Sequence, residues 1–164
     1  MKPTKIKKIP LPTLLVFDFD GVLTDNKVIV DENGKESVVC DRGDGLGMEM
    51  ARKSGLKMLI LSKEKNKVVS ARGKKLQVEV IQGILDKPRE LKKYCQKHRI
   101  PLSKVMYVGN DLNDLAVMKL VGTAVAPKNS HPAVLKIASI ILGKNGGDGA
   151  VRELIEDRLG IMTY

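Results

Sequence analysis

Thr13-Leu14-Leu15-Val16-Phe17-Asp18-Phe19-Asp20-Gly21-Val22-Leu23-Thr24-Asp25 is the stretch whose reading decides the fold. Its apolar run is short, partly β-branched and preceded by a proline-rich start, so residues 13–19 read as a buried strand. Asp18 and Asp20, two residues apart at the strand end, point the same way while the chain stays extended. Gly21 then permits a sharp turn.

Working outward, Lys27 to Val30 and Glu36 to Val39 flank Asp31-Glu32-Asn33-Gly34, the pattern of a β-hairpin. Gly43, Gly45 and Gly47 predict a loop leading into a helix over 46–54. From there strands and helices alternate. Strands are predicted at 56–61, 78–81, 105–108, 122–126 and 137–142. Helices are predicted at 65–75, 87–98, from 111 through 119, at 131–136 and at 149–159. Alternation of this kind means a parallel sheet with helices on both faces, an α/β fold. Ligands of such sheets bind beyond the carboxyl ends of the strands. Four strand ends carry polar, chemically capable residues: Asp18 and Asp20, Ser62, Asp86 with Lys87, and Asn110 with Asp111.

The 164 residues fit one domain, assigned to 13–164 after a basic tail over 1–12. Only 3% of residues are aromatic, so the core must be built from Val, Ile, Leu and Met. The net charge of +10 comes from Lys and Arg spread along the chain. It reads first as a solvated basic surface and second as an aid to capturing a small anionic substrate, and no zinc-finger spacing or aromatic RNA-binding signature supports nucleic acid. Cys40 and Cys95 sit in no metal or redox spacing and read as reduced thiols of a cytoplasmic protein. No apolar run suggests a signal peptide or a membrane span.

The strand-end residues define a chemistry. One carboxylate of the Asp18/Asp20 pair can attack phosphorus, and the other can protonate the leaving oxygen and then activate water. Gly109-Asn110-Asp111-Leu112-Asn113-Asp114 offers hard oxygen ligands for Mg²⁺, although the same residues would serve as a helix N-cap. Ser62 can donate to a phosphoryl oxygen, and Lys87 can offset the charge of phosphate and nucleophile.

These elements, in this order, resemble the haloacid dehalogenase superfamily of phosphatases, and the resemblance runs over nearly the whole chain after residue 13. The hairpin, the Gly43-Asp44-Gly45 segment and Gly146-Gly147-Asp148-Gly149-Ala150-Val151-Arg152-Glu153 are similar to one subfamily without a large cap domain. That subfamily holds 3-deoxy-manno-octulosonate 8-phosphate phosphatases, nonulosonate 9-phosphate phosphatases and domains fused to acylneuraminate cytidylyltransferases. The resemblance implies a Rossmann-like sheet with a β-hairpin flap, and a homotetramer in which hairpins associate and a neighbouring subunit helps close the site.

The resemblance also implies roles. Asp18 would be nucleophile and magnesium ligand. Asp20 would be general acid/base, its backbone carbonyl also meeting the metal. Ser62 and Lys87 would hold the phosphoryl group. Asp44, Glu64, Arg72 and Lys75 would meet the sugar acid. Gly146, Gly147 and Arg152 would close the site. Two departures stand out. Ser62-Lys63-Glu64 replaces the octulosonate branch's Ser/Thr-Gly-Arg and is similar to the nonulosonate branch. Asn110 stands where many relatives place a metal-binding Asp, so the ligand set is Asn110 with Asp111 nearby, or Asp114 supplies the charge. The expected function is a magnesium-dependent sugar-acid phosphatase, with nonulosonate 9-phosphate ahead of octulosonate 8-phosphate. A non-catalytic oligomerisation module related to the fused domains is the alternative.

Overall fold

The computed structural model describes residues 9–162. The chain begins with β1 (Leu14–Phe17), the hairpin strands β2 (Ile29–Val30) and β3 (Glu36–Ser37), α1 (Arg42–Lys53), β4 (Lys57–Leu61), α2 (Val68–Leu76) and β5 (Glu79–Ile81). It continues through α3 (Lys87–His98), β6 (Val105–Val108), α4 (Leu115–Met118), β7 (Thr123–Ala126), α5 (Pro132–Ile137), β8 (Ile140–Ile141) and α6 (Ala150–Glu153). A π-helical turn over Leu154–Arg158 extends α6.

Six parallel strands form the main sheet in the order β5-β4-β1-β6-β7-β8. Parallel neighbours need crossovers, which the helices supply. The chain leaves β1 through β4 to β5, then α3 carries it back to β6 on the other side of β1. The topological switch therefore falls at β1, where a crevice opens at the carboxyl ends. Phe17 lies level with Ile60 of β4 and Val108 of β6, so Asp18, Leu61 and Gly109 begin the next row together.

Alternation along β1 fills two cores. Leu15 and Phe17 pack with Met48, Met50, Leu154 and Ile155 under α1 and α6, while Leu14 and Val16 pack with Leu91, Tyr94, Val117 and Val134 under α3, α4 and α5. Both faces are apolar because both are covered, which is why the strands read as continuous apolar runs. Between β1 and β4 the chain holds only the hairpin and α1, so no large cap covers the crevice. The hairpin exposes Val28, Ile29, Val30 and Val39, each more than half accessible.

Among the element boundaries that differ from the sequence reading, three have a clear local cause. The helix expected from residue 46 starts at Arg42, capped by Asp41, whose Oδ1 accepts from the Asp44 N–H at 2.8 Å. Gly43 and Gly47 do not break it. They let it press against Arg152, whose Cα would lie 3.1 Å from a Cβ at position 47. The helix expected from Lys65 starts at Val68, because Glu64 and Asn66 side chains bind the backbone of residues 65, 66 and 68 in a turn. The last strand shrinks to Ile140–Ile141, since α5 runs through Ile137.

Candidate active site

Asp18 continues the sheet's hydrogen bonding one residue beyond β1, its N–H donating to the Val108 carbonyl at 2.9 Å. The side chain is thereby set at the switch point, only 5% exposed. Its Oδ1 accepts from the Phe19 N–H at 2.7 Å and from Lys87 Nζ at 2.8 Å. Lys87 arrives from the first turn of α3, where Asp86 caps the helix, and is itself buried. The same ammonium meets Asp114 Oδ1 at 2.7 Å and the Tyr107 hydroxyl at 3.1 Å. Tyr107 in turn donates to Asp114 Oδ1 at 2.7 Å.

Two buried carboxylates thus share one buried ammonium. Burial, and then the Asp114 charge, lift the Asp18 pKa from 3.8 to about 7, with Lys87 and the Phe19 N–H opposing the rise. Burial pushes Lys87 down, but Asp18 and Asp114 more than offset it, so the ammonium stays charged. Asp20, half-buried beside the crevice, is also raised, by burial first and then by Glu64 and Glu36, with Lys87 opposing.

Ser62 follows β4 directly and is buried. Its Oγ accepts from the Glu64 N–H at 3.1 Å, which leaves the hydroxyl proton for an incoming oxygen. Glu64 Oε1 accepts from the N–H groups of Lys65 and Asn66. Asp18, Asp20, Ser62 and Glu64, with Asn26, Lys63 and Asn113, line one crevice of ≈ 220 Å³.

The donor set fits a hard cation at one point in particular. Asn110 is 7% exposed, and its Oδ1 is buried with no hydrogen-bond partner. Its amide occupies the space where a Cβ at Gly21 would stand, so the positive φ of Gly21 and its missing side chain seat Asn110 against the Asp18–Gly21 turn. A buried amide oxygen without a donor is what an oxygen-seeking ion completes. Among the described residues no cluster of three or more His, Cys, Asp or Glu side chains is arranged for a metal, so an ion held here would draw on the Asn110 amide and few carboxylates.

Several expected site residues lie elsewhere. Asp111 is exposed and caps the turn at Leu112–Asp114, its Oδ1 accepting from the Leu112 N–H, and it does not line the crevice. Asp114 is fully buried. Its Oδ2 accepts from the backbone of Asn110 and Asp111, and it braces Lys87 and the turn rather than facing the crevice. Asp44 does not line the crevice either. It is 1% exposed, and its Oδ1 accepts from the Arg152 N–H at 2.8 Å, capping α6 from within α1. Burial lifts its pKa to about 6 against those backbone donors. Arg72 and Lys75 line a separate basic cleft of ≈ 500 Å³ with Arg42 and Arg52, where Arg72 donates to the Asp41 carbonyl. That cleft shares no lining residue with the crevice.

Gly146 and Gly147 pack directly on the turn after Asp20. The Gly21 carbonyl occupies the place of a Cβ at Gly146, and the Gly147 N–H donates to the Val22 carbonyl. The C-terminal segment therefore backs the Asp18–Gly21 turn of its own chain. Sequence reasoning missed Asn26 and Asn113 on the crevice wall, and behind it Tyr107. The signal for Tyr107 was a lone phenol on an otherwise aliphatic strand, since a buried hydroxyl needs a partner.

Comparison with known proteins places this geometry. Residues 51–154 match the model of the haloacid dehalogenase-like hydrolases. The chain is 35% identical over 144 residues to 3-deoxy-D-manno-octulosonate 8-phosphate phosphatase KdsC of Salmonella typhi, covering 87% of this chain and 77% of that one. It superposes with a TM-score of 0.85 on the Moraxella catarrhalis 3-deoxy-D-manno-octulosonate 8-phosphate phosphatase solved with magnesium, phosphate and KDO. The identity there is 33%, with 88% of this chain and 84% of that one covered. A Streptomyces avermitilis structure, provisionally assigned to the HAD family of hydrolases, superposes at 0.90 with 46% identity over 93% of this chain and 89% of that one.

Proposed function

The chain belongs to the haloacid dehalogenase-like hydrolases, and on that footing we propose that it hydrolyses the phosphate ester of a 3-deoxy-ulosonic acid through an aspartyl-phosphate on Asp18. The observation that carries the reading is the buried Asp18–Lys87–Asp114 group at the sheet's switch point, opening on a crevice beside Asp20. A carboxylate oxygen of Asp18, whose orientation is fixed by Lys87 and the Phe19 N–H on Oδ1, is the attacking atom. It forms a bond to phosphorus as the ester oxygen leaves. Asp20, inclined by burial and acidic neighbours to hold a proton, gives it to that oxygen and then takes one from the water that cleaves the acyl phosphate. Ser62 donates to a phosphoryl oxygen, and Lys87 balances the charge where nucleophile and phosphate meet.

Magnesium is the proposed cofactor, held by Asp18, the Asp20 carbonyl and Asn110 Oδ1. When bound it would neutralise the phosphoryl charge.

Within the class, we favour a nonulosonate 9-phosphate over the octulosonate 8-phosphate on which the curated relatives act. Glu64 on the crevice wall supports this reading, as an acceptor for sugar hydroxyls or an N-acyl amide. The crevice has room for the phosphoryl end of such a molecule. Because Arg72 and Lys75 line a different cleft of the same subunit, we assign them to the substrate carboxylate of a neighbouring subunit's site. The exposed apolar hairpin supports the tetramer this requires. Steady-state hydrolysis of both sugar phosphates with Mg²⁺ tests the reading, with kcat/KM at least tenfold higher for the nonulosonate expected from a built acceptor. Equal or reversed preference refutes the substrate. A tetramer that cleaves no phosphate ester refutes the enzyme and leaves the oligomerisation module. Ile29→Lys is expected to give monomers by sedimentation, and a persistent tetramer would rule out hairpin-driven assembly.

A further inference from the structure

We propose that Tyr107 is a positioning residue for the reaction. Its buried hydroxyl, donating to Asp114 and accepting from Lys87, fixes the Lys87 ammonium on one oxygen of the nucleophile. The inference rests on Asp18 being that nucleophile.

A lysine ammonium carries three protons and no acceptor. All three have partners here: Asp18 Oδ1 at 2.8 Å, Asp114 Oδ1 at 2.7 Å and the Tyr107 oxygen at 3.1 Å. Tyr107 spends its own proton on Asp114 Oδ1 at 2.7 Å. The triangle of phenol, carboxylate and ammonium is therefore closed, and each member is 2% exposed or less. Phenylalanine at 107 would leave the ammonium one acceptor short and Asp114 one donor short, at a place where such groups are costly to leave unpaired.

The ring itself is rigid. Tyr107 lies in β6 level with Val16 of β1, among the aliphatic side chains of one core face. It ties the flexible lysine stem to the sheet rather than to the crevice. Lys87 then bonds the same Asp18 oxygen that receives the Phe19 N–H. Two donors on Oδ1 fix the rotation of the Asp18 carboxylate, which sets the direction of attack. Packing alone asks for nothing beyond a phenyl ring on this strand. The hydroxyl is explained by what it bonds.

The test is Tyr107→Phe in the full chain. The loss of one hydrogen bond to a charged group predicts a fall in kcat of about tenfold, with KM within about twofold because phosphate is gripped elsewhere. An unchanged kcat, or a raised KM with kcat intact, would overturn the proposal. A second measurement does not depend on that variant folding. In enzyme carrying 3-fluorotyrosine, resonances are assigned with Tyr94→Phe and Tyr164→Phe, leaving residue 107 by elimination. Adding Mg²⁺ and beryllium fluoride, a mimic of the phosphorylated aspartate, is expected to move the ¹⁹F resonance of residue 107 and leave that of residue 94 in place. A resonance at 107 that does not respond would sink the coupling to Asp18. The outcomes are separable from the functional reading. A wild-type protein inactive on every ester refutes the phosphatase, whereas an active wild type matched by an equally active Phe variant refutes only the role of Tyr107.

Discussion

Replacing Asp18 by Asn should remove turnover and, at alkaline pH, make the protein more stable. The first half follows from chemistry, since an amide does not form the acyl phosphate. The second follows from burial. Asp18 titrates near 7 in the folded protein and near 3.8 when exposed. At about 1.4 kcal/mol per pH unit, the ionised carboxylate costs the fold on the order of 4 kcal/mol. The sign is fixed by proton counting. Between 3.8 and about 7 the folded state holds a proton that the unfolded chain has lost, so stability falls as pH rises through this window. The penalty is complete above about 7 and is relieved toward 4. Asn has no charge to bury, and its oxygen still accepts from Lys87 and the Phe19 N–H. Part of the Lys87 attraction is lost, so the net gain is put at roughly 2–3 kcal/mol at pH 8, or a Tm about 5–10 °C higher for a chain of this size. Near pH 5 the gain should be less than half of that. Urea and thermal melts in EDTA at the two pH values measure it, alongside turnover with Mg²⁺. A variant less stable than wild type at pH 8 would show that Lys87 attraction outweighs burial and the Asp114 charge. Retained turnover would refute the nucleophile.

Lys87→Met removes the one ammonium between two buried carboxylates, and urea titration at pH 8 should show a loss of about 3–5 kcal/mol, shrinking at pH 5 as Asp18 takes a proton. A loss of under 1 kcal/mol at pH 8 would mean the cluster is solvated. Asn110→Asp adds a charge beside the orphaned oxygen position, and calorimetry without substrate should find Mg²⁺ bound at least about tenfold more tightly. Unchanged affinity would place the ion elsewhere. Gly146→Ala drives a methyl group into the Gly21 carbonyl and should cost more than about 2 kcal/mol by displacing the nucleophile loop, read as a drop in Tm with reduced kcat. A neutral result would show that the C-terminal segment is not seated on that loop.

What could be read from the sequence divides along a physical line. The strands ending at Phe17, Leu61 and Val108 announce themselves by local apolar runs, and the residue after each run is fixed at the carboxyl end of an interior strand by the ladder, so Asp18, Ser62 and the start of the Asn110 turn were legible. Lys87 was legible as well, because Asp86 and Pro88 mark a helix start. The misplaced residues depend on partners far along the chain. Gly43, Gly45 and Gly47 carry a local turn signal, which tertiary packing against Arg152 and, at Gly45, against Arg72 overrides to make a helix. Asp44 looks like a site residue until its acceptor role toward a backbone 108 positions later is seen. Asp111 and Asp114 are equivalent as motif letters. Only the turn between them decides that one faces solvent and the other is buried against Lys87. The same distinction bears on the chemistry. Asp18, Asp20, Ser62 and Glu64 touch the crevice, while Lys87, Asp114 and the residues set by distant contacts hold them there. Exchange among the first group should alter rate or substrate directly. Exchange among the second should alter rate only so far as it lets Asp18, Lys87 or the Gly21 turn move, and in that group stability and activity should fall together, for Gly146 through the turn and for Tyr107 through the unpaired Lys87 and Asp114.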